Sequence, residues 1–146
     1  KSVINSNDKR TNLLLNKINK IMNNKIKNKN ITFLGVTFKP GTDDMRESSS
    51  LKMIPALSRK GAYINYYEPT GKKKELKSKN INFFENIKDA CKKADLIIIH
   101  TEWNDFKQLN FKKITRKRNF KVFDMRNLYS TSEMKKNKIN YFSIGR

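Results

Sequence analysis

The sequence predicts an α/β fold, a parallel sheet with helices on both faces, preceded by an amphipathic helix. Three observations carry this. From Asn30 onward short apolar runs alternate with helical stretches, the signature of successive βαβ units. The run Leu96-Ile97-Ile98-Ile99 is unbroken by polar residues, as a central parallel strand buried on both faces requires. Ahead of both, Leu14, Ile18, Ile21 and Met22 recur at helical spacing among Lys and Asn.

The elements follow in order. Val3 to about Met22 reads as an amphipathic helix whose apolar face packs on this domain or on sequence upstream of Lys1; a chain opening with Lys rather than Met is expected to be a fragment. Ile31–Thr37 is the first strand. Leu51, Ile54, Leu57 and Ser58 mark one face of the next helix, where Pro55 removes a hydrogen bond and is expected to bend or delay the first turns. Gly61 ends that helix as a left-handed cap. Ala62–Tyr67 is the second strand, closed by Pro69 and Gly71, and a lysine-rich stretch leads to a weak strand around Asn82–Phe84. Ile87, Ala90, Cys91 and Ala94 share the buried side of a helix, Leu96–His100 is the central strand and Lys121–Met125 the fifth. Ser132–Lys136 is a short helix and Asn140–Ile144 a last strand. Right-handed crossovers make this a Rossmann-like sheet. Residues 29–146 are expected to form the domain, with the amphipathic helix and its linker in residues 1–28 ahead of it.

Length and charge narrow the function. The 146 residues suffice for one core and not for two. No apolar run approaches the ~20 residues that cross a bilayer, and a soluble, cytoplasmic protein is expected. Cys91 is the single cysteine, so neither an internal disulfide nor a zinc cluster is expected. The net charge of +20 would ordinarily point to nucleic acid or an anionic membrane. The lysine excess, however, accompanies excess asparagine and isoleucine all along the chain, as an A+T-rich coding sequence produces. Groups such as Lys72-Lys73-Lys74 and Arg116-Lys117-Arg118 sit in separate segments, and solvated surface is the preferred reading.

In open parallel sheets ligands bind outside the carboxyl ends of the strands. After the first strand, the loop from Phe38 to Ser50 holds a Pro40-Gly41 turn, Lys39, Asp43, Asp44, Arg46 and three serines where a helix should begin. The carboxylates can cap that helix or act in catalysis, and the serines can satisfy its free N–H groups. Lys39 and Arg46 beside a helix N-terminus make a phosphate site about as readily as a solvated pair. After the fifth strand, Arg126 can reach phosphate or sugar oxygens through two parallel hydrogen bonds, or pair with Asp124. After the central strand, His100 reads as a satisfied strand-end histidine, and Trp103 and Phe106 as packing residues. No activated nucleophile is legible, and the glycine-rich dinucleotide fingerprint is absent after the first strand, where Gly35 and Gly41 have the wrong spacing.

Four blocks in this order, Gly35 to Ser48, Thr101-Glu102-Trp103-Asn104-Asp105-Phe106, Phe123-Asp124-Met125-Arg126-Asn127 and Tyr141 to Arg146, resemble the C-terminal, UDP-binding domain of the UDP-glucose/GDP-mannose dehydrogenase family. The resemblance runs from about residue 29 to the end, and it implies that residues 1–28 are the end of the family's long central connecting helix and linker. It implies an enzyme that oxidises a nucleotide sugar twice at C6, with two NAD molecules, through a covalent intermediate on a cysteine. That cysteine and the NAD-binding domain lie upstream in the family, so this chain is not expected to be active alone. Cys91, on a surface-packed helix, is no substitute. At matching positions Phe38, Lys39 and Arg126 hold the nucleotide sugar and Arg46 reaches toward NAD, while Asp43 and Asp44 shape the loop. The resemblance assigns no catalytic residue and no metal ligand here. Its implied partners are a UDP-sugar, the upstream NAD-binding and central domains, and a second subunit in a homodimer.

Two features depart from the family or leave choices open. Glu68 stands before Pro69 where the family usually shows an aspartate, a longer carboxylate that could alter the turn. Relatives acting on GDP-mannose or UDP-N-acetylmannosamine share the lysine-bearing loop, while the Thr-Glu-Trp block and the Ser-Ile-Gly-Arg ending favour UDP-glucose. The competing class is a non-enzymatic basic module that binds nucleic acid.

Overall fold

The structure, a computed structural model, describes residues 6–146, the side chains of residues 6 and 7 excepted. The expected helix start at Val3 therefore lies outside the described residues. The first helix, α1 (Ser6–Ile21), buries Leu14, Ile18 and Ile21 against this domain, with Met22 just past its end, which answers where its apolar face goes. Asn23, Asn24 and Asn28, all at positive φ (55, 61 and 64°), turn the chain out of α1. Asparagine enters this left-handed region more readily than other non-glycine residues.

Six strands follow: β1 (Asn30–Leu34), β2 (Tyr63–Tyr67), β3 (Ile81–Phe83), β4 (Leu96–Ile99), β5 (Lys121–Asp124) and β6 (Asn140–Ser143). All adjacent pairs are parallel, in the order β3-β2-β1-β4-β5-β6. The order reverses between β1 and β4, where Ile31 faces Ile64 on one side and Leu96 on the other.

The period-two alternation of the strands divides the core. Ile31, Phe33, Ile64, Tyr66, Leu96, Ile98 and Phe123 pack under α1 and α2 (Ser50–Arg59). Leu34, Ile97, Ile99 and Val122 face the opposite layer of α3 (Ile87–Cys91), α4 (Phe111–Ile114) and α5 (Thr131–Lys136). Each apolar side chain fully withdrawn from water stabilises the domain by roughly 1.5–3 kcal/mol. Among the described residues, no helix is long and apolar enough to cross a membrane.

The expected elements are present with shifted ends. β1 stops at Leu34 rather than Thr37, because Gly35 takes φ +80 and the N–H groups of Val36 and Thr37 turn to the Glu68 carboxylate. β4 and β5 each stop one residue earlier than expected, and β3 is displaced by one. The second helix runs through Pro55 from Ser50, so its first turns are formed rather than delayed. Gly61 closes it at φ +96 as expected, with Gly61 N–H on the Ser58 carbonyl and Ala62 N–H on that of Leu57. The short helix α4 was not expected; its anchor is the buried Phe111.

Candidate functional site

The loops after β1, β4 and β5 meet at the reversal of strand order, where doubly wound sheets open a crevice. A cavity of about 530 Å³ lies there, and Phe38, Lys39, Ser49, His100 and Arg126 line it together with Arg10 of α1.

The loop after β1 is fixed from below. Gly35 passes so close to the central loop that a Cβ on it would lie 2.6 Å from Thr101 Cβ. Val36 N–H donates to Glu68 Oε1 at 2.9 Å, and Thr37 N–H reaches the same oxygen at 3.4 Å. Glu68 is almost wholly buried, and its Oε2 accepts the Thr70 N–H and hydroxyl at 3.1 and 2.7 Å. The turn still closes, with Gly71 N–H on the Glu68 carbonyl at 2.9 Å. Phe38 N–H donates to the Asp44 carbonyl at 3.0 Å and shuts the loop at its tip, leaving the Phe38 ring 46% exposed over the cavity beside Lys39.

Asp44 shapes this loop and does not cap α2. Its Oδ1 accepts the Arg46 N–H at 2.9 Å, and its carboxylate takes Nε and an Nη of Arg46, each at 3.1 Å. Those hydrogen bonds from Arg46 hold the Asp44 carboxyl below its ordinary range and raise the guanidinium. Arg46 projects into solvent with 89% of its side chain exposed, outside the cavity lining.

The three serines divide the work at the start of α2. Ser48 and Ser50 hydroxyls both donate to the Val36 carbonyl at 2.6 Å, and Ser48 Oγ accepts the Ser50 N–H at 3.3 Å. Ser49 occupies the N-cap position without a side-chain capping bond. Its Oγ lies 2.9 Å from His100 Nε2, and His100 Nδ1 lies 3.0 Å from Thr101 Oγ1. His100 is fully buried; desolvation first, then the charges of Arg126 and Arg10, push it down to about 3, so the ring is neutral. It is satisfied, as expected at a strand end, by partners 51 and 1 residues away.

Arg126 resolves its two alternatives. Nε donates to the His100 carbonyl at 2.8 Å, and the guanidinium makes no ion pair with Asp124. Asp124, fully buried, instead accepts the N–H groups of Arg126 and Tyr129 and the Tyr141 hydroxyl. The guanidinium is thus anchored at Nε, and Arg126 lines the cavity. Trp103 and Phe106 pack as expected, Phe106 fully buried and edge-on to Tyr67 with centroids 6.1 Å apart.

The sequence does not announce the wall that α1 supplies. Arg10 and Thr11 line the cavity, and Asp8 pairs with Lys52 to hold α1 beside α2. Arg10, Lys39 and Arg126 thereby converge from three elements near the N-terminus of α2, with Glu102 partly offsetting Arg126. Such a concentration of donors suits a diphosphate. Cys91 plays no part: it lies buried in α3, off the cavity lining, with its thiol pushed up to about 12 by desolvation.

Residues 32–131 match the UDP-glucose/GDP-mannose dehydrogenase family, UDP binding domain. The UDP-glucose 6-dehydrogenase of Rickettsia felis is 38% identical over 149 residues, covering 99% of this chain and 33% of the relative. The chain thus spans about a third of the length of the curated relatives it matches. Among solved structures, an NDP-N-acetyl-D-galactosaminuronic acid dehydrogenase from Methanosarcina mazei superposes with a TM-score of 0.76 at 20% identity, over 94% of this chain and 29% of its own. A UDP-glucose dehydrogenase from Pyrobaculum islandicum does so with 0.72 at 19%, over 94% and 30%. At those identities the structures speak to the fold, and they agree with the sheet described above. With the sequence match spanning both the lysine-bearing loop and Arg126, the chain belongs to the UDP-glucose/GDP-mannose dehydrogenase family and corresponds to its UDP-binding domain.

Proposed function

We propose that this chain is the nucleotide-sugar-holding part of an NAD-dependent UDP-glucose 6-dehydrogenase. The observation that carries the proposal is the convergence of Phe38, Lys39 and Arg126, from loops after β1 and β5, on one cavity at the reversal of strand order. In this reading Lys39 and Arg126 neutralise the diphosphate, and the exposed Phe38 ring covers the nucleotide. Withdrawal of the ligand into a half-enclosed, cation-lined site strengthens each charged hydrogen bond.

Residues 1–28 serve as the end of a connecting helix, and the remainder as the sugar-binding domain. The upstream regions carried by longer relatives supply the reactive cysteine and bind NAD, which accepts hydride. Arg46, outside the cavity and 89% exposed, fits a contact with a group held on a facing domain rather than in this one. A homodimer in the cytoplasm completes the proposal.

The test is titration of the full-length protein with UDP by calorimetry, wild type against Lys39→Ala. A loss of about 1.5–3 kcal/mol, that of a charged hydrogen bond, is expected, and unchanged affinity removes the assignment. Turnover of UDP-glucose compared with GDP-mannose and UDP-N-acetylmannosamine then decides the sugar.

A further inference from the structure

Ser49 stands at the N-cap of α2, a position whose side chain ordinarily accepts a helix N–H, yet it caps nothing. Its backbone is helical there (φ −63, ψ −21), and its hydroxyl is turned across the site to His100 Nε2 at 2.9 Å.

The direction of that hydrogen bond is set from the far end of a chain of groups. The Thr101 hydroxyl donates to the Thr37 carbonyl at 3.0 Å, so toward His100 Nδ1 it can only accept. Nδ1 therefore carries the ring proton. A neutral imidazole protonated at Nδ1 presents a bare lone pair at Nε2, and the Ser49 hydroxyl must donate to it. With its one proton committed, Ser49 Oγ lines the cavity as an acceptor alone.

We propose that Ser49 is a specificity-determining residue, accepting a hydrogen bond from a hydroxyl of the bound nucleotide sugar, on its ribose or on its hexose. The proposal rests on the reading of the cavity given above. Lys39, Arg126 and Arg10 only donate, and the diphosphate they suit is common to many nucleotides. An acceptor held in one orientation distinguishes a ligand that offers a hydroxyl there from one that does not, because the part-buried Ser49 Oγ, once the ligand shuts it off from water, is penalised if left unpaired. Thr101 and His100 act as positioning residues, fixing the sense of the chain from the Thr37 carbonyl outward.

The experiment is calorimetric titration of the full-length protein with UDP-glucose, UDP and inorganic pyrophosphate, for wild type, Ser49→Ala, Thr101→Val and Thr101→Ser. Ser49→Ala is expected to weaken UDP-glucose roughly two- to tenfold, the net value of one neutral hydrogen bond, and to leave pyrophosphate, which has no hydroxyl, unchanged. An equal loss for UDP places the hydroxyl on the ribose, and a loss confined to UDP-glucose places it on the hexose. Thr101→Val is expected to reproduce the loss and Thr101→Ser to restore wild-type binding; Ser49→Ala decides alone if Thr101→Val does not fold.

Three results overturn the inference: wild-type affinity of Ser49→Ala for UDP-glucose, an equal loss for pyrophosphate, or wild-type UDP-glucose affinity in folded Thr101→Val. If Lys39→Ala weakens UDP while Ser49→Ala changes nothing, only this inference fails. If Lys39→Ala also leaves UDP binding intact, the reading of the cavity fails with it.

Discussion

Glu68 Oε1, at the carboxyl end of β2, accepts the Val36 N–H at 2.9 Å, and so ties the end of one strand to the loop that leaves its neighbour. The same carboxylate holds Thr37 and Thr70, making it the fixed point beneath Phe38 and Lys39. The extra methylene relative to aspartate leaves the Pro69 turn closed and spans the gap to the next strand's loop.

Glu68→Ala leaves two buried N–H groups without their acceptor. Destabilisation of about 2–4 kcal/mol is expected, read as a lower urea midpoint. Glu68→Asp should recover part of it, and full recovery would mean that the reach of the longer side chain is immaterial.

Arg126 is anchored by Nε and open at its remaining donors, a geometry that lysine cannot copy. In the full-length protein, Arg126→Ala is expected to weaken UDP by about 1.5–3 kcal/mol, and Arg126→Lys to regain less than half of that. Calorimetry that finds lysine equivalent to arginine would reduce the role to charge alone.

Acid should destabilise the domain through His100. The buried ring has a pKa of about 3, against 6.5 when exposed in the unfolded chain. Between these values the unfolded state binds the additional proton, so stability is fully present above the upper value. It falls as pH drops through the window, by up to about 1.4 kcal/mol per pH unit. Urea midpoints measured at neutral and mildly acidic pH should differ less for His100→Asn than for wild type, and parallel pH dependence would exclude His100 as the cause.

Gly35→Ala should be among the more damaging single-methyl additions. It forces a side chain onto φ +80 and places it 2.6 Å from Thr101 Cβ. A loss of about 2–4 kcal/mol is expected, from backbone strain together with overpacking. A melting temperature unchanged from wild type would show that the two loops are free to separate.

The order of elements is legible in the sequence because its signals are local. The short apolar runs of β1 and β2, the Leu-Ile-Ile-Ile run of β4, helical spacing in α1 and the glycine after α2 each lie within a few residues of what they specify. The lysine-bearing loop and the segment around Arg126 are contiguous in the same way, so both stand out from residue types and spacing alone. Strand ends are less legible. β1 stops where Gly35 and a carboxylate from Glu68 divert its N–H groups, and nothing within the strand announces either.

Tertiary structure alone decided which groups meet. Val36 finds Glu68 across 32 residues, Ser49 finds His100 across 51, and Arg10 enters the cavity only because α1 docks beside α2. Whether Arg126 pairs with Asp124 is equally open in the sequence, and it is settled by the arrival of Tyr129 and Tyr141 at that carboxylate. The physical reason is that periodicity and turn chemistry act through neighbouring bonds. Hydrogen-bond partners and charge clusters are instead set by the crossing of distant segments over a common sheet.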